Sequence, residues 1–212
     1  VLLLLVANAF ALRPGLFVDQ LVGGLVYGFI LVLLALGLSI ILGLLGVVNF
    51  AHGALFMLGA YLTFQVVVGW GLSFWVALAV VPLMVGLLGV VIERTVLHRL
   101  YDETPLIGLL ATFGLALMLN EATRAAWGAS PLSVPKPAVL SSSFDLVVTN
   151  VAQFRLFTVA VSVLTVAAVY LLIERTDFGL SVRAGVLDRE MAELVGVNIP
   201  LRFVLMFFLG AA

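Results

Sequence analysis

Long apolar blocks separated by short polar breaks set the rhythm of this chain. From about Phe17 to Val48 the sequence is apolar almost without interruption, longer than the roughly 20 residues one bilayer crossing requires. Ala54 to Val68 forms a second block and leads to Gly69-Trp70-Gly71. Leu72 to Ile92 follows, entered through Trp70 and Trp75, which suit a membrane interface. Pro105 to Trp127 and Val151 to Ile173 are the next two. A last run begins near Phe203 and reaches Ala212 at about half a span, and Val1 to Leu12 is apolar but short for one. The pattern predicts an all-α fold, a polytopic transmembrane helical bundle of about six to seven membrane segments. The chain reads as a piece of a longer protein, truncated on its C-terminal side.

The polar breaks differ in kind. Asn49-Phe50-Ala51-His52-Gly53 joins two apolar blocks without a charge, which suits either a tight turn at the membrane boundary or an unwound kink within its depth. Glu93-Arg94, His98-Arg99, Asp102 and Glu103 make a charged loop. Gly128 to Asn150, with Pro131, Pro135, Pro137 and Ser141 to Ser143, reads as a hydrophilic loop. Glu174 to Asn198 is a charged island between apolar runs.

Composition sharpens this picture. The 212 residues are 64% hydrophobic and 10% charged, an excess of apolar surface that a water-soluble domain of this size does not need. No Asp, Glu, Lys or Arg lies between Gln20 and Ile92. A net charge of -1 offers no attraction to nucleic acid. Cysteine is absent, which excludes disulfides and thiolate metal sites, and neither His52 nor His98 has a metal-ligand spacing. Arg94 and Arg99 are separated by two spans from Arg175, Arg183 and Arg189. The two groups therefore share a side, which their basic content assigns to the cytoplasm.

Within the island, a helix from Leu180 onward would put Leu180, Ala184, Leu187, Met191, Leu194 and Val195 on one face, with Arg183, Arg189, Glu190 and Glu193 opposite. Val182 and Val186 interrupt the polar face, and Gly185 weakens one unbroken helix. Such a segment is either a docking element or a solvated loop. For Asn49 and His52, one reading places them on a translocation path or bracing a kink; the other has Asn49 capping the next helix and His52 bonded to a backbone carbonyl. Gly53, Gly59 and Ala60 form a small-residue face suited to helix packing. Glu121 and Arg124, three residues apart, form a candidate ion pair.

Two motifs together resemble a known family. The run NFAHGALFMLGAYLTF at 49 to 64, preceded by YGFILVLLALGLSIILG, resembles the permease subunits of branched-chain amino-acid ABC importers. So does RAGVLDREMAELVGVN at 183 to 198, where Arg183, Asp188, Ala192, Leu194, Gly196 and Asn198 match the family pattern. The stretch IERTVLHRLYDETPLIGLLATFGLALML is similar to its cytoplasmic loop and following helix, with His98-Arg99-Leu100 in place of the usual Arg-Pro pair.

The resemblance implies a single transmembrane permease domain over 1–212, with 174–198 as a cytoplasmic coupling segment, in a multi-pass protein of a bacterial-type inner membrane. It implies a second related permease subunit, two cytoplasmic ATPase subunits that bind ATP-Mg, and an extracytoplasmic substrate-binding protein. This chain itself would hold no cofactor or metal and catalyse nothing. Asn49, Phe50, His52 and Gly53 become candidates for the translocation path or its helix break. Arg183, Asp188, Arg189, Glu190, Ala192, Glu193 and Gly196 become candidates for ATPase coupling, with Gly196 turning the chain back toward the membrane. Relatives in the superfamily that move urea, short amides or sugars supply one alternative. An intramembrane enzyme built on His52 and Ser39 supplies another, although no paired carboxylates or nucleophile elbow accompanies them. A channel or secondary transporter would be expected to carry ionisable groups within its spans.

Overall fold

The computed structural model describes residues 14–45, 49–100, 103–145 and 150–212. Helix α1 is Pro14–Leu45, and α2, His52–Phe64, continues into a π-helical turn at Gln65–Gly69. Helices α3, Phe74–Thr95, α4, Pro105–Trp127, and α5, Gln153–Arg175, follow. Each grows from one of the apolar blocks, and all five segments are long and apolar enough to cross a membrane. The island folds as α6, Asp177–Leu187, and α7, Arg189–Leu194, and the last apolar run as α8, Ile199–Ala211. Five long spans and this shorter apolar helix agree with the expected six to seven segments. The segment expected at Val1 to Leu12 lies outside the described residues.

The described chain divides into two compact units. One holds the first part of α1 together with Pro135–Ala168. Here the stretch expected as a plain hydrophilic loop contributes to an antiparallel strand pair: β1, Ser143–Asp145, pairs with β2, Asn150–Ala152. Phe144 stands opposite Val151 in that register, an aromatic and β-branched pair of the kind that stabilises two short strands. The Arg155 guanidinium at the start of α5 is ion-paired with Asp19 of α1.

The second unit holds Leu34–Val134 and Val169–Ala212. Its core joins Leu55 of α2, Val81, Val85 and Ile92 of α3, Leu115 and Leu119 of α4, Ile41 of α1 and Phe207 of α8. Before its last turn, with Glu93 and Arg94, helix α3 is apolar all round. Ala77, Val81, Val85, Gly89 and Ile92 are buried, while Leu83, Leu87 and Val91 are exposed. A helix with no polar face belongs where lipid serves as the outer solvent.

Close packing in this unit depends on Gly37 of α1, one of the glycines that stud the first apolar block, and on two glycines of α3. A methyl group at Gly86 would lie 2.6 Å from the Phe208 ring, and one at Gly89 would lie 2.7 Å from the Ala211 methyl. The bare backbone of α3 therefore admits α8. A methyl at Gly53, by contrast, would meet no other segment within 4 Å among the described residues, and one at Gly59 would meet only Val85, at 3.7 Å. The small-residue face at 53 to 60 does not form the tight crossing. Aromatic side chains on α8 fill the space the α3 glycines leave, and among the described residues nothing comparable stands opposite Gly53.

Candidate functional site

The segment at 49 to 53 is a tight turn closed by its own polar groups. The Asn49 side-chain oxygen accepts from the Ala51 N–H at 3.0 Å, and the His52 N–H donates to the Asn49 carbonyl at 3.1 Å. Two donors at the start of α2 are thereby satisfied, the capping that a short amide side chain provides. Asn49 is 2% exposed and His52 7%. His52 Nε2 lies 3.0 Å from the carbonyl oxygen of Leu34 on α1. A carbonyl only accepts, so Nε2 carries a proton. Among the described residues neither His52 Nδ1 nor the Asn49 amide nitrogen has a partner.

The same histidine lies at a crossing of backbones. A methyl at Gly37 would stand 2.5 Å from the Gly210 carbonyl and 2.8 Å from His52 Cε1. The turn after α1, the middle of α1 and the end of α8 therefore meet where Gly37 and Gly210 present bare backbone. Phe50 points away from this junction, half exposed, with its ring edge-to-face with Phe113 of α4 at 6.4 Å. The ring proton of His52 is spent on Leu34, and among the described residues no hydrogen bond joins it to Ser39. A serine–histidine pair requires that bond.

At the far end of α2 the sequence reading missed a second junction. The Trp70 N–H donates to the Gln65 carbonyl at 2.8 Å, widening the last turn into a π-helix. The Gln65 side chain folds over Gly69, where a methyl would collide with it, and accepts from Trp127 Nε1 at 3.1 Å. Tyr61 packs against the same indole at 5.6 Å. Glu121 and Arg124 do form the expected pair, at 3.6 Å, with both side chains largely in solvent. Exposed pairs of this kind contribute little.

The island differs from a single helix starting at Leu180. Helix α6 begins at Asp177, with the Thr176 hydroxyl accepting from the Gly179 N–H at 3.3 Å. The helix breaks at Asp188, whose extended backbone ends α6 and whose carboxylate caps α7 by accepting from the Met191 N–H at 2.9 Å. The cap, rather than Gly185, is what divides the segment. Gly185 packs instead against Ile199, which a methyl would approach within 2.5 Å. After α7, Gly196 adopts φ +89, and the N–H groups of Gly196 and Val197 close onto the carbonyls of Glu193 and Ala192. A left-handed glycine in this place is the common end of a helix. The Asn198 side chain then caps α8 through the Leu201 N–H at 3.1 Å.

The island's charges are largely spoken for inside the chain. Arg183 donates to the Ile173 carbonyl at 2.7 Å and pairs with Glu174 at 2.9 Å. Arg189 pairs with Glu193 at 3.3 Å and lies over the Phe203 ring. Glu190 is exposed. Val182 is buried near Ile40 and Met206, and Ala192 against Ile199 and Phe203, so both anchor the island. Leu187 is 87% exposed and Leu194 81%, with Met191 and Val195 exposed beside them.

Helices fit to cross a bilayer, joined through a capped and anchored island, define a multi-pass membrane protein. Residues 20–212 match the family described as branched-chain amino acid transport system, permease component, and the chain belongs to that family. It is similar to the high-affinity branched-chain amino acid transport system permease protein BraD of Pseudomonas aeruginosa, at 31% identity over 92% of this chain and 67% of the relative. LivH of Escherichia coli K12, a permease protein of a system with the same description, is 27% identical over the same shares. A probable branched-chain amino acid transport permease protein of Methanocaldococcus jannaschii is 27% identical over 84% of this chain and 57% of the relative. No solved structure matches the chain.

Proposed function

We propose that this chain is the membrane-spanning permease subunit of an ATP-driven importer for branched-chain amino acids. Residues 1–212 act as one permease domain, and 174–198 couples it to ATPase subunits on the cytoplasmic face. The observation that carries this reading is the two-sided island. Its inner side is anchored by Val182, Gly185 and Ala192, while Leu187, Met191, Leu194 and Val195 form an uncovered apolar ridge. A rigid mount with an apolar outer edge suits a helix that transmits force into a partner's groove.

Two ATPase subunits would bind ATP-Mg, and a second related permease and an extracytoplasmic binding protein would complete the assembly. This chain would hold no cofactor and hydrolyse nothing. Asp188 and Gly196 set the two bends of the coupling segment, and Ala192 its seat. Arg183 fixes it to the end of α5, while Arg189, Glu190 and Glu193 border the ridge. Asn49, His52 and Gly53 open α2 and brace the break that shapes the path, and Phe50 faces outward from it. The charge-free stretch from Gln20 to Ile92 agrees with a passage that holds an apolar zwitterion weakly.

A single cysteine at Glu190 tests the coupling role in an otherwise cysteine-free chain. In membranes containing co-expressed ATPase subunits with a cysteine in their helix-docking groove, a position-dependent cross-link is expected. A folded complex that gives no link at Glu190 or its neighbours returns the island to being a solvated loop.

A further inference from the structure

The turn that opens α2 lies deep in the bundle. Gly37 stands against both the His52 ring and the Gly210 carbonyl, and Gly210 is near the far end of the 13-residue α8, about 16 Å along its axis from Ile199. That is about half of a hydrocarbon layer roughly 30 Å thick. Asn49 and His52 are each more than nine-tenths buried. Even so, each carries a polar atom that no described residue pairs, Nδ2 of Asn49 and Nδ1 of His52. Their partners fix which atoms these are. The Ala51 N–H can only donate, so it faces the Asn49 oxygen and leaves the amide NH2 on the other side. The Leu34 carbonyl takes the Nε2 proton and leaves Nδ1. Counting from Asn49 as the cap, His52 is the third residue of α2, the spacing at which side chains reach toward one another across a helix start. A bare polar atom at membrane depth is costly, and two within one turn call for a shared ligand.

We propose that this turn holds a single water molecule bridging Asn49 Nδ2 and His52 Nδ1. The amide nitrogen only donates, which rules out a metal cation between the two atoms. No charged residue lies between Gln20 and Ile92 to balance an ion, and burial keeps out the side chain of another protein. Water accepts from the amide and donates to the neutral imidazole, and toward a protonated ring it would accept from Nδ1 as well. Two partners are the least that an internal water needs. The bridge ties the cap of α2 to the ring that meets α1 at Leu34 and Gly37, where the end of α8 also rests. It belongs to the fold itself and does not depend on the transport reading. Its exchange with bulk water therefore reports how often the junction of these three segments opens.

Solid-state NMR of the protein in lipid bilayers tests the bridge without a variant. His52 follows an alanine whereas His98 follows a leucine, and Asn49 precedes a phenylalanine whereas Asn120, Asn150 and Asn198 do not. Labelled histidine and asparagine, combined with carbonyl-labelled alanine and nitrogen-labelled phenylalanine, thus assign both side chains. Through-space correlations are recorded between water protons and the side-chain nitrogens. Both His52 Nδ1 and Asn49 Nδ2 are expected to show a water cross-peak, as the exposed His98 ring does, while the buried Ala77 carbonyl shows none. With His98 positive, a missing cross-peak at either His52 Nδ1 or Asn49 Nδ2 overturns the bridge. Cross-peaks that arise only when L-leucine is added overturn it as well, because the water would then belong to a passage and not to the fold.

Discussion

Gly37 shows how much a single missing methyl group decides. Its backbone lies against both the His52 ring and the Gly210 carbonyl, so Gly37→Ala forces three segments apart. Overpacking of this kind costs about 1–3 kcal/mol, against a gain of about 1 kcal/mol in helix propensity. A methyl at Gly43, on the same helix, would meet nothing within 4 Å among the described residues, so Gly43→Ala receives only the gain. Melting of the detergent-solubilised protein is expected at lower temperature for Gly37→Ala, and unchanged or higher for Gly43→Ala. Equal melting of the two variants would contradict the crossing. The sequence marked His52 and Asn49 as polar groups in need of partners, and it admitted the capping arrangement now seen. It could not mark Gly37 among its neighbours Gly28 and Gly43, because a glycine's value depends on what a distant segment brings against it. Glu93 was equally unreadable, since burial of a charge near a helix end leaves no trace in local pattern.

Among the elements, the island carries the most specific local chemistry. Asp188 ends one helix and starts the next, and removing its carboxylate costs about 1 kcal/mol of local helix stability. Asp188→Ala is expected to reduce ATP-driven uptake while the amount of assembled complex stays the same, and Asp188→Asn, which also caps, is expected to restore it. Uptake equal in both variants would separate the break from coupling. Long helices were legible because each needs only length and apolar composition, and five of them emerged within a few residues of the expected limits. The break at Asp188 was not. Apolar spacing continues across it, with Leu187, Met191, Leu194 and Val195 in helical register, and the cap interrupts the backbone without disturbing that spacing. The pairing of β1 with β2 escaped for a related reason: proline and serine nearby outweigh a strand of three residues.

For the molecule as a whole, sidedness follows from parity and is supported by packing. Arg94 and His98 line the same cavity as Asn198 and Leu201, so the first basic loop and the end of the island lie together. Single cysteines at Arg99 and Glu190 are expected to stay unreactive toward an impermeant maleimide in sealed, right-side-out vesicles and to react together once the membrane is opened. Reaction of one without the other would break the assignment. The family was legible because its motifs fall in polar breaks, where composition is unconstrained by lipid and individual residues stand out.

The seating of α8 against Gly86 and Gly89 has a consequence for biogenesis. Both glycines leave the ribosome roughly a hundred residues ahead of the aromatic side chains that cover them, on the order of ten seconds at ordinary rates of synthesis. During that interval α3 stands in the bilayer with a notch that only lipid or an insertion factor can occupy. Helix α8 must displace that tenant to take its seat on α3.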